Sequence, residues 1–288
     1  YDLTIAVSPQ NKNVVLIGGV NIWRSNNGGS SFSLSGHWYG GGGVSFVHAD
    51  HHCLIFRPGS NELYAGCDGG VYKSSNGGVN NSWVSRNQGL AITQYYKIGT
   101  TDSDPSLTIA GAQDNGTHLN DNGWNKVGGG DGMDCAIDKL NPNIMYRSIY
   151  YGDFDKSTNG GNNFNASFNL PPSGSGNWVT PFIASRISSN TLYAGFDKLW
   201  KSTNGGFSFS ATSSNSIFNS NNIDVLAEAP GDPNVIYAGI NNRLYYSSNG
   251  GSSWTWISSN IGSGNVITGI TVDPLNSDHV YISDRKEH

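Results

Sequence analysis

Short apolar runs of about five residues recur along the chain, each bounded by Asn, Ser, Pro or Gly, and no stretch keeps the 3.6-residue spacing of an amphipathic helix. The pattern predicts β-strands throughout. Aligning the runs that end in Tyr-Ala-Gly or a close variant places Leu16, Tyr64, Ile109, Tyr146, Tyr193, Tyr237 and Tyr281 in equivalent positions, roughly 44 residues apart. Each unit then reads as four strands, A to D. In the fourth unit Cys135-Ala136-Ile137 is strand A, Leu140-Asn141-Pro142-Asn143 a turn, and Ile144 to Ile149 strand B; Leu199-Trp200-Lys201 illustrates strand C in the fifth.

A second element lies between strands C and D. Ser-x-Asn-Gly-Gly occurs five times, with Ser25 and Asn27, Ser74 and Asn76, Ser157 and Asn159, Ser202 and Asn204, and Ser247 and Asn249 as its polar members. An aromatic follows each time: Phe32, Trp83, Phe164, Phe209 and Trp254. Gly-Gly supplies positive φ for a tight turn, Ser and Asn can bond the turn's own amides, and the aromatic is expected to bury its ring between units. The third unit offers only Asn120-Asp121-Asn122-Gly123-Trp124, and the seventh stops after strand B. A period near 44 with four strands per unit is that of a β-propeller. We therefore expect an all-β, seven-bladed propeller of four-stranded antiparallel blades over residues 1–288, one domain, its last blade incomplete and completed by a further segment of a longer polypeptide.

Composition narrows the partners. Charged residues are 13% and Gly supplies 39 positions, so Asn, Ser, Thr and Gly keep the surface wet. With net charge −5 and 16 scattered basic residues, no stripe exists to engage a phosphate backbone, and nucleic acid is not expected. No apolar run is long enough to span a bilayer as a helix. Cys53 and Cys135 share a place in strand A of units two and four, and Cys67 is expected opposite Cys53; small core side chains explain all three, with a Cys53–Cys67 bridge the alternative.

Loops before strand A and after strand B of a propeller open on one face. That rule gathers Asp50, His51 and His52, then Asp68-Gly69-Gly70, then Gln113-Asp114-Asn115, then the glycine-rich stretch holding Asp131 and Asp134, with Tyr150 after strand B of unit four. Asp50, His51, Asp68, Gln113, Asp114, Asn115, Asp131, Asp134 and Tyr150 are the candidate ligand-binding residues. No cofactor is expected. Calcium is the metal weighed first, through Asp131 and Asp134 with help from Asp153 and Asp155; zinc through His48, Asp50 and His51 is weighed beside it. Trp38, Tyr39, Tyr150 and Tyr151 could stack on sugar rings.

The five-fold phrase resembles the Asp-box of BNR-repeat propellers, with Asn in the usual Asp place. The order Asp50-His51-His52, Asp68-Gly69-Gly70, Gln113-Asp114-Asn115-Gly116 and Gly129-Gly130-Asp131-Gly132 resembles the sortilin-like BNR-repeat proteins that Bacteroidetes and other bacteria secrete or display. More distantly, Tyr64 to Lys73 looks like the strip of family 74 glycoside hydrolases that carries their catalytic base, which would make Asp68 the base; the family's acid comes from a second propeller, and Asp131 or Asp114 could stand in for it. Sialidases share the box, but Phe56-Arg57-Pro58 lacks the Ile of their motif. The resemblance implies a secreted or cell-surface module that binds an extracellular glycan or protein, with hydrolysis of a β-glucan-type polysaccharide as the alternative.

Overall fold

The computed structural model describes residues 2–167, 176–213, 218, 221–257 and 265–286. Two compact units are present, Tyr1–Thr93 and Gln94–His288. In the first unit, Thr4–Val7, Val15–Gly18, Ile22–Ser25 and Ser33–His37 form an antiparallel sheet in sequence order, extended by the short parallel strand Ser45–Phe46. The second sheet follows with His51–Phe56, Leu63–Cys67, Gly70–Ser74 and Trp83–Ser85. Between them lies an apolar layer of Leu16, Ile22, Val47, Leu54, Leu63 and Trp83.

The second unit repeats this scheme. Its four-stranded sheets begin with Tyr95–Thr100, Cys135–Ile137, Phe182–Ala184 and Val225–Ala229, and a two-stranded sheet, Asn265–Asp273 with Asn276–Lys286, comes last. Every four-stranded sheet is antiparallel and ordered as in the sequence. Separate apolar layers fill the spaces between successive sheets: Ile109 with Ile137, Tyr146 with Phe182, Tyr193 with Ile236, Tyr237 with Ile267. Each sheet buries its faces only against its neighbours, as expected of a repeat architecture. The aligned Tyr146, Tyr193 and Tyr237 are among the fully buried side chains; Tyr281 is exposed.

All five Ser-x-Asn-Gly-Gly turns have one geometry. The serine hydroxyl accepts the amide of the second glycine at 2.8–2.9 Å and donates to the asparagine Oδ1 at 2.8–3.0 Å. Both glycines of every turn have positive φ. The second glycine also packs on the preceding sheet: a Cβ at Gly161 would lie 2.5 Å from Leu119 Cδ2, and one at Gly251 2.5 Å from Leu199 Cδ2. The terminal aromatics are less uniform than expected. Trp83 is buried and Phe164, Phe209 and Trp254 are half-buried, but Phe32 is exposed, so its ring is not enclosed between sheets.

Candidate functional site

In the first unit the entry to His51–Phe56 decides which side chains reach solvent. The strand carries a bulge between His51 and Cys53, pairing His51 with Cys67 and Cys53 with Gly66. One extra residue reverses the alternation of faces. His51 is therefore fully buried, its Nδ1 2.7 Å from the Gly19 carbonyl oxygen, and burial lowers its pKa; it is not at a rim. Cys53 is turned outward, which corrects its expected core role, while Cys135 is buried and Cys67 half-buried. All three thiols are free, and Cys67 lies opposite His51 rather than Cys53.

His52 takes the outward position. Its Nε2 lies 2.5 Å from Asp68 Oδ1 and its Nδ1 3.4 Å from Asp2 Oδ1. The hydrogen bond to Asp68 raises the imidazole's pKa. Asp50 holds a positive φ of 61°, and its backbone oxygen accepts the Asp68 amide at 3.3 Å. Burial first, then the charges of Asp2 and Asp68, raises the Asp50 pKa. Asp50 and Asp68 thus come together with His52 as expected, and Asp2 joins them. Trp38 and Tyr39 are exposed and packed edge to face on one another.

In the second unit Asp131 Oδ1 accepts the Asp114 amide at 2.8 Å, and Asn115 Nδ2 donates to the Gln113 carbonyl at 3.0 Å. The glycine-rich stretch explains the approach: a Cβ at Gly132 would meet the Gly116 oxygen at 2.3 Å, so only bare backbone fits there. Asp134 is elsewhere. It is buried, its two oxygens accept the amides of Cys135 at 2.8 Å and Phe182 at 3.2 Å, and burial pushes its carboxyl up to about 6. A carboxylate bonded in this way ties one sheet to the next. Asp155 is likewise taken, by Arg147 at 2.8 Å. Among the described residues neither Asp131 nor Asp134 belongs to a group of three His, Cys, Asp or Glu side chains able to hold a metal.

Tyr150 sits in a cluster that strand periodicity does not announce. Tyr150–Gly152 forms a single 3₁₀ turn in which Tyr151 has φ 63° and ψ 17°, a left-handed conformation unusual for a bulky residue. The Tyr151 amide donates to the Trp178 oxygen at 3.3 Å, holding the Trp178 segment against the turn. Tyr150 and Trp178 stack at 5.3 Å with rings 13° apart, and Tyr151 meets Trp178 edge to face at 5.3 Å. Trp178 Nε1 donates to Tyr96 Oη at 3.3 Å. Tyr96 lies at a bulge in Tyr95–Thr100, beside Tyr95, which stacks on exposed Trp124. Packing is incomplete: Tyr150, Tyr151 and Trp178 remain 39%, 50% and 43% exposed. Trp178 and Tyr96 were not singled out from the sequence; the available signal was an aromatic in a polar loop with no place in the repeat.

The first strands of the four four-stranded sheets of this unit lie side by side and line a cavity of about 370 Å³. Apolar groups of Ile98, Ala136, Ile183 and Ala227 contribute to its wall, with Lys97, Lys139 and Arg186 as its basic members. Arg186 and Lys139 share Asp102, at 3.2 and 3.9 Å. Glu228 accepts Ser185 Oγ at 2.8 Å and the Arg186 amide at 2.9 Å, and burial raises its pKa.

No protein-family model matches the chain, and no curated protein matches it in sequence. Solved structures do resemble it. A GH74 xyloglucanase from Xanthomonas campestris is 14% identical with a TM-score of 0.52, covering 96% of this chain and 50% of its own. YCF48 from Cyanidioschyzon merolae is 13% identical with a TM-score of 0.51, covering 99% and 93%. The extracellular domain of a B. thetaiotaomicron protein described as a one-component system is 16% identical with a TM-score of 0.52, covering 97% and 36%. The chain thus spans half the length of the xyloglucanase. At these identities the likeness is one of fold: an all-β propeller built from four-stranded antiparallel blades, with seven sheets among the described residues.

Proposed function

We propose that the chain is a carbohydrate-binding propeller of secreted or cell-surface type, and that its ligand stacks on the cluster of Tyr150, Tyr151 and Trp178. The observation that carries the reading is the stack itself. Aromatic rings of a soluble protein are ordinarily spent on the core, whereas these three are held by backbone hydrogen bonds and a strained tyrosine with much of their surface still in water. The axial C–H faces of a pyranose fit such rings. Hydrogen-bonding groups stand nearby in the Gln113-Asp114-Asn115 loop, where the Gln113 amide donates to the oxygen of Gln94, beside Tyr95 and Tyr96. The Ser-x-Asn-Gly-Gly turns are, in this reading, the structural boxes of a BNR-repeat propeller of the sortilin-like secreted kind.

Calorimetric titration with soluble xyloglucan, mixed-linkage β-glucan and pectin fragments tests it. Trp178→Ala should weaken binding tenfold or more without lowering the unfolding temperature appreciably, since the ring packs on a surface turn. Equal affinity of Trp178→Ala and Tyr150→Ala with the parent chain would sink the reading.

A hydrolase is the second reading, favoured by the Asp68 carboxylate held 2.5 Å from His52, which orients it as a water-activating base would need. Glycoside hydrolysis also requires an acid partner. Release of reducing ends from xyloglucan, lost in Asp68→Asn, would establish it in place of simple binding.

A further inference from the structure

We infer that Asp224 is the positioning residue of the aromatic platform and gates it by pH, holding Trp178 in place for a sugar when ionised and releasing it when protonated. The inference deepens the carbohydrate-binding reading and rests on it. Trp178 belongs to the short segment 176–180 that leads into the strand Phe182–Ala184. Two backbone bonds join this segment to one residue: Tyr151 donates to the Trp178 oxygen at 3.3 Å, and Gly176 donates to the Tyr151 oxygen at 3.1 Å. Tyr151 is itself in a left-handed conformation, which persists only where the surroundings hold it. Asn177 supplies the further anchor. Its Nδ2 donates to Asp224 Oδ1 at 2.7 Å and to the Ile223 oxygen at 3.3 Å, and its backbone oxygen accepts Thr180 Oγ1 at 2.8 Å. The other Asp224 oxygen accepts the Asn241 amide at 2.6 Å, and the Asn241 oxygen accepts the Ile267 amide at 2.8 Å. One carboxylate thus ties the Trp178 segment to the sheet of Val225–Ala229 and, through Asn241, to the strand Asn265–Asp273.

Both partners reach Asp224 through N–H groups, so each of its oxygens must accept. Protonation turns one oxygen into a hydroxyl, a weaker acceptor whose own proton needs a partner. The Asn241 amide is backbone and stays, whereas the Asn177 side chain can rotate away, so the bond to the Trp178 segment is the one that yields. Burial raises the Asp224 carboxyl above its ordinary value, and the bonds from Asn241 and Asn177 oppose that rise. The charged residues of the surrounding elements are Asp197 and Lys198 at the exit of Leu192–Gly195, Glu228 in its own strand, Arg243 after Asn241, and Asp284 and Arg285 in the last strand. None of these six contributes to the shift. The sign follows: above the raised pKa the carboxylate holds Asn177 and the platform is ordered, and as pH falls through it the hold is lost. The rings themselves carry no group that titrates in acid.

The test is calorimetric titration with soluble xyloglucan and mixed-linkage β-glucan, both neutral, from about pH 7 to about pH 4. Affinity of the parent chain should fall about tenfold or more over that range, as expected when the competent fraction of the platform drops to about a tenth. Asp224→Asn places an N–H against one of the two donors, so it should bind about tenfold more weakly at neutral pH and show no further fall. Asn177→Ala leaves Asp224 and its bond to Asn241 in place, and should give the same weak, flat profile with the unfolding temperature kept. Exchange of the Gly176 amide, taken relative to its intrinsic rate at each pH, reads the hold on the segment without a ligand: protection should fall in acid in the parent chain and be low throughout in Asn177→Ala. A pH-independent affinity in the parent chain, a slope that survives in both variants, or Gly176 protection that ignores pH overturns the role of Asp224 while leaving carbohydrate binding intact. Absence of binding to any of the glycans above at neutral pH overturns the carbohydrate reading, and Gly176 exchange then decides the hold of Asp224 by itself.

Discussion

Removing one hydroxyl tests what holds the repeating turn together. Ser202 is 1% exposed, its Oγ accepts the Gly206 amide at 2.8 Å, and it donates to Asn204 Oδ1 at 2.9 Å. Ser202→Ala leaves the Gly206 N–H buried without an acceptor, in a glycine locked at φ 90° that cannot turn toward water without breaking the turn. A buried donor left unpaired costs about 1–3 kcal/mol, so a loss near 2 kcal/mol is expected. Asn204 is exposed; its Oδ1 accepts the Ser208 amide at 3.0 Å and its Nδ2 donates to Ser208 Oγ at 2.8 Å. Water can replace those bonds, so Asn204→Ala should cost no more than about 1 kcal/mol.

Urea unfolding of the two variants measures the difference, and amide exchange at Gly206 localises it. Ser202→Ala should lower the midpoint clearly more than Asn204→Ala, by several degrees in a thermal melt at about 2–4 °C per kcal/mol, with Gly206 losing protection. If Asn204→Ala is the more damaging, or Gly206 stays protected in Ser202→Ala, then the turn is held by its exposed asparagine and the argument from the buried hydroxyl is wrong.

Asp134 predicts a pH dependence: its carboxyl is pushed up to about 6 in the native state. An unfolded aspartate titrates near 3.9, so the native state binds the extra proton between about pH 4 and 6, and this group's contribution falls by about 2–3 kcal/mol as pH rises through that window. Asp134→Asn should flatten that slope in unfolding titrations from pH 4 to 7; an unchanged slope refutes the assignment. Thiol labelling of the folded chain should modify Cys53 first, because it is exposed, whereas burial raises Cys67 to about 11 and pushes Cys135 higher still; mass mapping after brief alkylation would show Cys135 modified early if the burial were wrong. Tyr151→Gly relieves a left-handed tyrosine and should leave the fold as stable or stabilise it by about 1 kcal/mol, while weakening glycan binding. Loss of stability there would mean that the ring is a packing element and not a platform.

These predictions divide along the same line as the legibility of the sequence. Strand order, turns and interleaved apolar layers were readable because each depends on residue types at fixed short offsets: glycine where φ is positive, serine four positions before the amide it caps, an apolar residue on alternate strand positions. Where the alternation slips by one residue, the reading failed. The bulge at His51 and Cys53 sends the expected rim histidine into the interior, brings His52 out to Asp68, and exposes a cysteine assigned to the core. Asp134 was misplaced for a related reason, since its oxygens cap amides on two sheets, and one of those amides belongs to Phe182, far along the chain.

Trp178 was missed because its contacts are long-range and follow no period. Tyr96 lies 82 residues away from it, and Tyr150 and Tyr151 reach it through a turn whose tyrosine takes a conformation suited to glycine or asparagine. Local preference argued for Gly at position 151, and a tyrosine stands there. A residue that costs backbone strain and leaves half its ring in water contributes little to folding, so its presence is better explained by what the ring meets outside the protein. That departure from local preference falls on the Tyr150–Gly152 turn of the second unit, which is why that surface carries the functional proposal and the five repeated turns do not.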